Sequence, residues 1–164
     1  TLFRSVDTSS LLEAPTALLA LDMLKNVTVV IPMIVIRELD NVKRKKIERR
    51  REISFINRFL ATLSPTSNFH FQQNYQVSST TALEQHFECP DDHIIKCARY
   101  FKNENPGTNV IILAEDYNLQ LKATSSAISS SKIEAFILKY IPEDVWQSLQ
   151  IPSSSTSNRT SAYY

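Results

Sequence analysis

The stretch from Val27 to Asp40 constrains the fold of this chain more than any other. Val27 to Ile31 is a short apolar run rich in β-branched residues, which is typical of a strand buried on both faces of a parallel sheet. Pro32 ends that strand and can open a helix, because the first turn needs no amide donor. The residues expected to face the sheet then recur at helical spacing, and they are Val35, Ile36 and Leu39.

The same helix carries a carboxylate close to its apolar side. Glu38 falls between Ile36 and Leu39. A buried carboxylate is costly unless a cation meets it. We therefore expect a metal ion beside Glu38.

Strands and helices alternate along the rest of the chain. Further strands are predicted at residues 2–6, 69–71 and 110–113, with a last edge strand at 133–137. Helices are predicted at residues 11–25, 53–63, 90–101, 119–123 and 142–149, and loops at 72–88 and 125–131. This alternation predicts an α/β fold, a three-layer α/β/α domain with a mostly parallel central sheet of four or five strands.

The composition is that of one ordinary globular domain. Of the 164 residues, 43% are hydrophobic and 21% are charged, as in typical soluble proteins. We expect residues 1–151 to form the domain and the serine-rich residues 152–164 to be a disordered tail. The longest apolar run is roughly half the ~20 residues of a membrane helix and no signal peptide is visible, so no membrane partner is expected.

Glycine and cysteine usage exclude other classes of site. Gly107 is the only glycine, which excludes nucleotide binding through a glycine-rich loop. Cys89 and Cys97 make no disulfide framework, which favours a reducing compartment. With His86 and His93 they have spacings that suggest zinc, but a closed site needs all four ligands to converge. A small buried cysteine is the commoner explanation.

Four acidic residues fall at equivalent places in the predicted elements, at strand ends or helix starts: Asp7, Glu38, Asp92 and Asp116. In open α/β sheets, ligands gather at the carboxyl ends of the strands, where these segments converge. Carboxylates in one cleft repel each other unless hard divalent cations neutralise them. Such cations activate water and stabilise the leaving oxygen in phosphodiester cleavage. The pattern therefore predicts a divalent metal site.

Aspartates at helix starts also have an ordinary structural role as N-caps that gain from the helix dipole. That role is open to Asp92 and Asp116. Their neighbours Asp91 and Glu115 can take the capping role instead and release them.

Four sequence blocks resemble the motifs of PIN-domain nucleases and follow one another in the family's order. They are residues 7–12, 30–43, 91–98 and 111–123. The second and fourth blocks are the specific ones, and the first is weak alone. The blocks resemble those of eukaryotic PIN domains that act in messenger RNA surveillance, rather than those of bacterial toxins.

The resemblance implies a divalent-metal-dependent endoribonuclease that cleaves single-stranded RNA in RNA quality control, through attack of metal-activated water on the phosphodiester. It implies Mg²⁺ or Mn²⁺ as cofactor, RNA-surveillance proteins as further partners, and an intracellular location, nuclear rather than cytoplasmic. The implied catalytic metal ligands are Asp7, Glu38, Asp92 and Asp116, supported by Thr8, Ser9, Asp91, Glu115 and Asn118.

The chain departs from the family pattern at two positions. Ala114 stands where the family often has Thr or Ser, so a hydroxyl that could orient a ligand or water is missing. Ser9 stands where the family often has Asn. The alternative is therefore a catalytically weak or inactive PIN-fold module that binds protein or RNA partners.

A basic run is the chain's main candidate for RNA contact. Seven of the eighteen Lys and Arg residues lie within nine positions: Lys43, Arg44, Lys45, Lys46, Arg49, Arg50 and Arg51. These can hold phosphates, but a solvated surface or a nuclear localisation signal also explains them. Lys122 is a further candidate contact to the scissile phosphate. The run contains no aromatic residue, so base stacking has no support there.

Overall fold

A computed structural model describes residues 2–76 and 88–150 of the chain. Its centre is a five-stranded sheet in which every neighbouring pair of strands is parallel. The strands are β1 (Leu2–Val6), β2 (Val27–Ile31), β3 (Phe69–Phe71), β4 (Asn109–Leu113) and β5 (Ser129–Ser131). Their order across the sheet is β3-β2-β1-β4-β5. The predicted α/β class with a parallel sheet is confirmed.

Helices connect and cover these strands. They are α1 (Thr8–Glu13), α2 (Ala17–Asp22), α3 (Met33–Lys45), α4 (Arg50–Ala61), α5 (Pro90–Glu104), α6 (Tyr117–Ser125), α7 (Ile133–Ile137) and α8 (Glu143–Leu149), with a short 3₁₀ turn at Ile47–Arg49. Within the described ranges, no helix combines the length and apolar character needed to cross a membrane. The predicted tail at residues 152–164 and most of the loop predicted at 72–88 lie outside the described residues.

The central strands are buried on both faces of the sheet. Val29, Val30 and Ile31 are successive residues of β2 that point to opposite faces, and each is at most 1% exposed. The apolar run that ends at Pro32 therefore forms the strand that its composition predicts. Pro32 itself directly precedes the first residue of α3.

Parallel pairing brings the carboxyl ends of the strands to one edge. In the register, Val6 of β1 lies opposite Leu113 of β4. The amide of Asp7 donates to the carbonyl of Leu113 at 3.1 Å. The segments that leave β1, β2 and β4 therefore start side by side, at the edge where α/β proteins usually bind ligands.

The prediction for the last strand is wrong. Residues 133–137 form helix α7, and Ile133, Phe136 and Ile137 are its buried residues, at helical rather than alternating spacing. The edge strand is β5, within the stretch predicted as a serine-rich loop. Its backbone pairs with β4 in register, and an edge strand needs no apolar side chains for that ladder.

Two helix predictions also need correction. The helix predicted at residues 11–25, with Pro15 marking the start of its regular part, is instead the end of α1 and all of α2. Pro15 lies in the break between the two helices, because proline interrupts a helix interior. Ile36 was expected on the buried side of α3, but it is 41% exposed. The buried residues of α3 are Val35 and Leu39.

A buried arginine joins the sheet to α7. Arg4 of β1 donates through Nη1 to the carbonyls of Phe3 at 2.8 Å and Asn109 at 3.0 Å. Its guanidinium carbon lies 4.8 Å from the centre of the Phe136 ring. Burial lowers the pKa of Arg4. These contacts fix α7 against the sheet beside β4.

Candidate metal and RNA site

Asp7 lies at the carboxyl end of β1 and is only 6% exposed. Ser9 donates its hydroxyl to Oδ2 of Asp7. Burial raises the pKa of Asp7, the bonds from Ser9 and the Thr8 amide lower it by less, and the charge of Asp91 raises it further. Asp7 is thus a desolvated carboxylate that is held in place by its own loop.

Glu38 is half-buried on α3, on the turn next to the buried Leu39. Its Oε2 accepts a hydrogen bond from the hydroxyl of Thr8 at 2.5 Å. Burial raises the pKa of Glu38, and the charges of Asp7 and Asp91 raise it further against the lowering effect of Thr8. The first and second sequence blocks therefore meet through Thr8.

Asp91 is the third member of this group. It is the second residue of α5, and its charge acts on both Asp7 and Glu38. Its side chain is 26% exposed. We call Asp7, Glu38 and Asp91 the carboxylate cluster, because each of the three repels the others.

Asp92 has a different environment from its neighbour. Its Oδ2 accepts from the backbone amide of Cys89 at 3.0 Å, and its Oδ1 accepts from Nζ of Lys122 at 3.0 Å. Burial acts to raise the pKa of Asp92, but the bonds from Cys89 and Lys122 outweigh it and the pKa is lowered. Asp92 therefore caps the start of α5 while Asp91 faces the carboxylate cluster, the reverse of the expected division.

Asp116 follows β4 and is exposed. It caps α6, because its Oδ1 accepts from the amide of Asn118 at 2.8 Å. Glu115 accepts through Oε1 from the amide of Ile133 at 3.1 Å. Asp116 therefore caps α6, a role that was expected of Glu115. Glu115 instead binds the first turn of α7.

A cleft of about 730 Å³ opens beside Asp116. Ser9, whose hydroxyl binds Asp7, lines this cleft together with Asp116. Glu13, Glu115 and Lys132 also line the cleft. Asp116 therefore stands at the edge of the site, on the side of Ser9, while the carboxylate cluster comes from the end of β1, the second turn of α3 and the start of α5.

Lys122 lies among the acids of α5 rather than apart from them. Its Nζ is 2.8 Å from Sγ of Cys89, 3.0 Å from Oδ1 of Asp92 and 3.5 Å from Oδ2 of Asp91. The hydrogen bond to Cys89 is the largest cause and raises the pKa of Lys122. Burial comes second and lowers it, but the bond and charge of Asp92 raise it further, so the pKa is raised overall. Lys122 thus partly neutralises one side of the carboxylate cluster.

The basic segment, residues 43–51, runs from the end of α3 into α4. Lys43, Lys45, Lys46, Arg50 and Arg51 are exposed. Arg44 pairs with Asp40 at 2.5 Å within α3. Arg49 lies 3.5 Å from Glu13 and 3.6 Å from Glu52. Since Glu13 lines the cleft, Arg49 brings the basic segment to the edge of the candidate site.

The residues with zinc-like spacing do not come together in the part of the chain that the structure describes. Burial raises the pKa of the Cys97 thiol to about 12, and Ser5 contacts this thiol. Cys89 contacts Lys122 instead. His93 lies 3.5 Å from Glu88, and His86 is outside the described residues.

Across residues 2–76 and 88–150, no three His, Cys, Asp or Glu side chains are already arranged to hold a metal ion. The carboxylate cluster is therefore a group of mutually repelling charges rather than a closed coordination shell. The sequence located the neighbourhood of the cluster through Asp7 and Glu38. Sequence reasoning named Asp91 only as a supporting residue and did not anticipate that its charge acts on Asp7 and Glu38, although the pair Asp91-Asp92 marked the helix start.

Comparisons with known proteins agree with the fold. The PIN domain family matches residues 6–134. Among solved structures, a domain of a functionally unknown protein from Methanocaldococcus jannaschii DSM 2661 is similar, with a TM-score of 0.54 and 18% sequence identity. The similarity covers 80% of this chain and 91% of that chain and concerns the fold alone. No curated protein matches the chain.

Proposed function

The chain belongs to the PIN domain family, whose members are generally nucleases that use divalent metals, and we propose that it is a metal-dependent endoribonuclease acting on single-stranded RNA. The single observation that carries this proposal is that the buried Asp7 and the half-buried Glu38 meet at the carboxyl edge of the sheet, held by Ser9 and Thr8, with the charge of Asp91 acting on both. Repelling carboxylates at such an edge are stabilised by a hard divalent cation.

The donor set fits Mg²⁺ or Mn²⁺. Carboxylate oxygens are the ligands that these cations prefer. Within the described residues, Lys122 supplies a cation to Asp91, whereas the described ion pairs include no cation for Asp7 or Glu38. We propose Asp7, Glu38 and Asp91 as metal ligands, with Asp116 completing the site from the cleft side. Asp92, which the motif resemblance implied as a ligand, holds Lys122 and the start of α5.

A divalent cation at the carboxylate cluster supplies charge that activates water and stabilises the leaving oxygen of a phosphodiester. The chain's own residues prepare that site. Thr8 orients Glu38, and Ser9 orients Asp7. Because burial removes both carboxylates from water, their binding to a cation is favoured. The basic segment supplies the sequence-independent attraction to RNA phosphates.

Single-stranded RNA is the substrate that this site favours. A flexible strand can bend its phosphate into an acidic cleft, whereas a stiff duplex cannot follow the same path. The style of the sequence blocks and the basic segment further support our proposal of a nuclear protein of messenger RNA surveillance, with surveillance proteins as partners.

The second candidate function is a PIN-fold module that binds RNA or protein and cleaves weakly or not at all. Two observations favour it. Ala114 is fully buried and brings no hydroxyl to the end of β4. Lys122 lies 3.5 Å from Asp91, where its charge competes with a metal ion.

Cleavage of a short unstructured RNA in Mn²⁺ tests the proposal. We expect wild type and Asp92→Asn to cleave, giving 5′-phosphate and 3′-hydroxyl ends. Asp91→Asn should be at least about tenfold slower. Asp91→Asn and Asp92→Asn are a matched pair of neighbouring changes, and circular dichroism checks that both fold. Equal loss in both variants, or wild-type rates in Asp91→Asn, would contradict the assignment of Asp91. No cleavage by wild type would favour the binding module.

A further inference from the structure

An exposed aromatic side chain stands beside the candidate site. Tyr117 is the first residue of α6 and directly follows Asp116. It is 68% exposed. A single exposed aromatic residue is common on protein surfaces, so the residues around it indicate whether it has a function.

A lysine from another element lies over the ring of Tyr117. Nζ of Lys132 is 5.3 Å from the ring centre, within the range of a cation–π contact. Lys132 directly precedes α7 and lines the cleft together with Asp116 and Ser9. An aromatic ring and a cation from two separate segments therefore meet at the rim of the cleft.

We propose that Tyr117 and Lys132 form a nucleotide platform, on which an unpaired RNA base stacks against the tyrosine ring while the lysine contacts a neighbouring phosphate. Stacking tolerates any base, since every base has a π-face. Only a base that is not held in a duplex can stack on the ring, and proteins read single strands in this way. The platform rests on the proposed function only for the identity of the ligand as RNA.

The platform supplies what the basic segment lacks. Residues 43–51 contain no aromatic side chain, so they attract the backbone without engaging bases. Tyr117 is adjacent to Asp116 in the chain, so a base stacked on its ring places the neighbouring phosphates at the cleft. The platform thereby selects unpaired RNA beside Asp116 and the cleft.

Helix α6 offers one competing explanation. Leu121 follows Tyr117 by about one helical turn and is also 68% exposed, so the two could form an apolar patch for a protein partner. The lysine over the ring and its place on the cleft favour a base and a phosphate instead. Leu121 therefore distinguishes the two occupants.

Binding of a short, fluorescently labelled, unstructured RNA to the full chain tests the platform. Fluorescence anisotropy in EDTA measures affinity without cleavage. We expect Tyr117→Ala to weaken binding by about tenfold, as loss of one base–aromatic stack does, and Tyr117→Trp to restore it. Lys132→Gln should lower the slope of log affinity against log salt by about 0.7, the effect of one phosphate contact on a single strand.

The matched control is Tyr75→Ala. Tyr75 is 72% exposed and follows β3, which β2 and β1 separate from β4. We expect this variant, and Leu121→Ala, to bind like wild type. An abasic RNA should bind wild type about as weakly as normal RNA binds Tyr117→Ala.

Three outcomes would overturn the platform: unchanged affinity in Tyr117→Ala, an equal loss in Leu121→Ala, or no RNA binding by wild type. Because the assay contains no divalent ion, a failure of catalysis leaves its result unaffected. A protein that binds through Tyr117 but never cleaves would contradict the nuclease proposal and leave the platform standing.

Discussion

At the scale of single residues, neighbouring aspartates at the start of α5 have opposite electrostatic environments. Asp92 is bound by a backbone amide and by Lys122, so its pKa is lowered in spite of burial. Asp91 instead raises the pKa of Asp7 and Glu38. Lys122 lies near both aspartates, but it is closer to Asp92, at 3.0 Å, than to Asp91, at 3.5 Å. This difference is why we propose Asp91 as the metal ligand, while Asp92 caps the start of α5.

Replacement of Lys122 tests how its charge acts on this pair. We expect Lys122→Gln to bind Mn²⁺ several-fold more tightly than wild type, because a cation 3.5 Å from Asp91 is removed. Isothermal titration calorimetry measures the change. Lys139→Gln is a suitable control, since Lys139 is an exposed lysine that follows α7. Weaker Mn²⁺ binding in Lys122→Gln would show that Lys122 supports the site rather than competing with the metal.

The sequence could predict where acids would gather but not how each of them is used. Asp7 and Glu38 could be singled out because they border apolar segments. The roles of Asp91 and Asp92 depend on Cys89, three residues before Asp92, and on Lys122, thirty residues after it. A contact with a residue so distant in the chain leaves no trace in local spacing.

At the scale of elements, long apolar runs were predicted well and short polar ones were not. The bounds of β2 follow from its β-branched run and Pro32. By contrast, β5 consists of three serines, so only its backbone pairing with β4 makes it a strand. Helix α7 is five residues long. Its apolar content is compatible with a strand or with a helix, and only the buried positions distinguish the two.

The basic segment supports a prediction at this scale. We expect combined replacement of Lys43, Lys45 and Lys46 by Gln to weaken binding to unstructured RNA. The slope of log affinity against log salt should fall by about 0.7 for each phosphate contact that is lost. Lys25→Gln is the control, because Lys25 precedes β2 and lies at the opposite edge of the sheet.

Anisotropy at several salt concentrations measures both quantities. A slope that stays at the wild-type value in the triple variant would mean that the segment does not touch the RNA backbone. A nuclear localisation signal would then be the better explanation of its charge.

At the scale of the whole molecule, the buried carboxylates make stability depend on pH. The folded pKa values of Asp7 and Glu38 are raised above 3.8 and 4.5, their ordinary values. Between these values and the raised ones, the folded state binds more protons than the unfolded state, so stability rises as the pH falls. Asp92 has a lowered pKa and acts in the opposite direction, but only below its ordinary value of 3.8.

We therefore expect the metal-free protein to gain stability as the pH falls from neutral to 4.5, the ordinary value of Glu38, relative to the double variant Asp7→Asn and Glu38→Gln. Denaturant unfolding at both pH values in EDTA measures the difference. Added Mn²⁺ at neutral pH should stabilise wild type but not the double variant. The same pH dependence in both proteins would mean that these carboxyls are not destabilised by burial and repulsion.

The proposed nuclease activity depends on one cation site built from Asp7, Glu38 and Asp91. Calorimetric titration of the full chain with Mn²⁺ tests it most directly, since neither RNA nor catalysis is involved. We predict a site in wild type that Asp92→Asn keeps and that Asp7→Asn, Glu38→Gln and Asp91→Asn each weaken at least about tenfold. Loss of the site in Asp92→Asn with wild-type binding in Asp91→Asn would contradict the account.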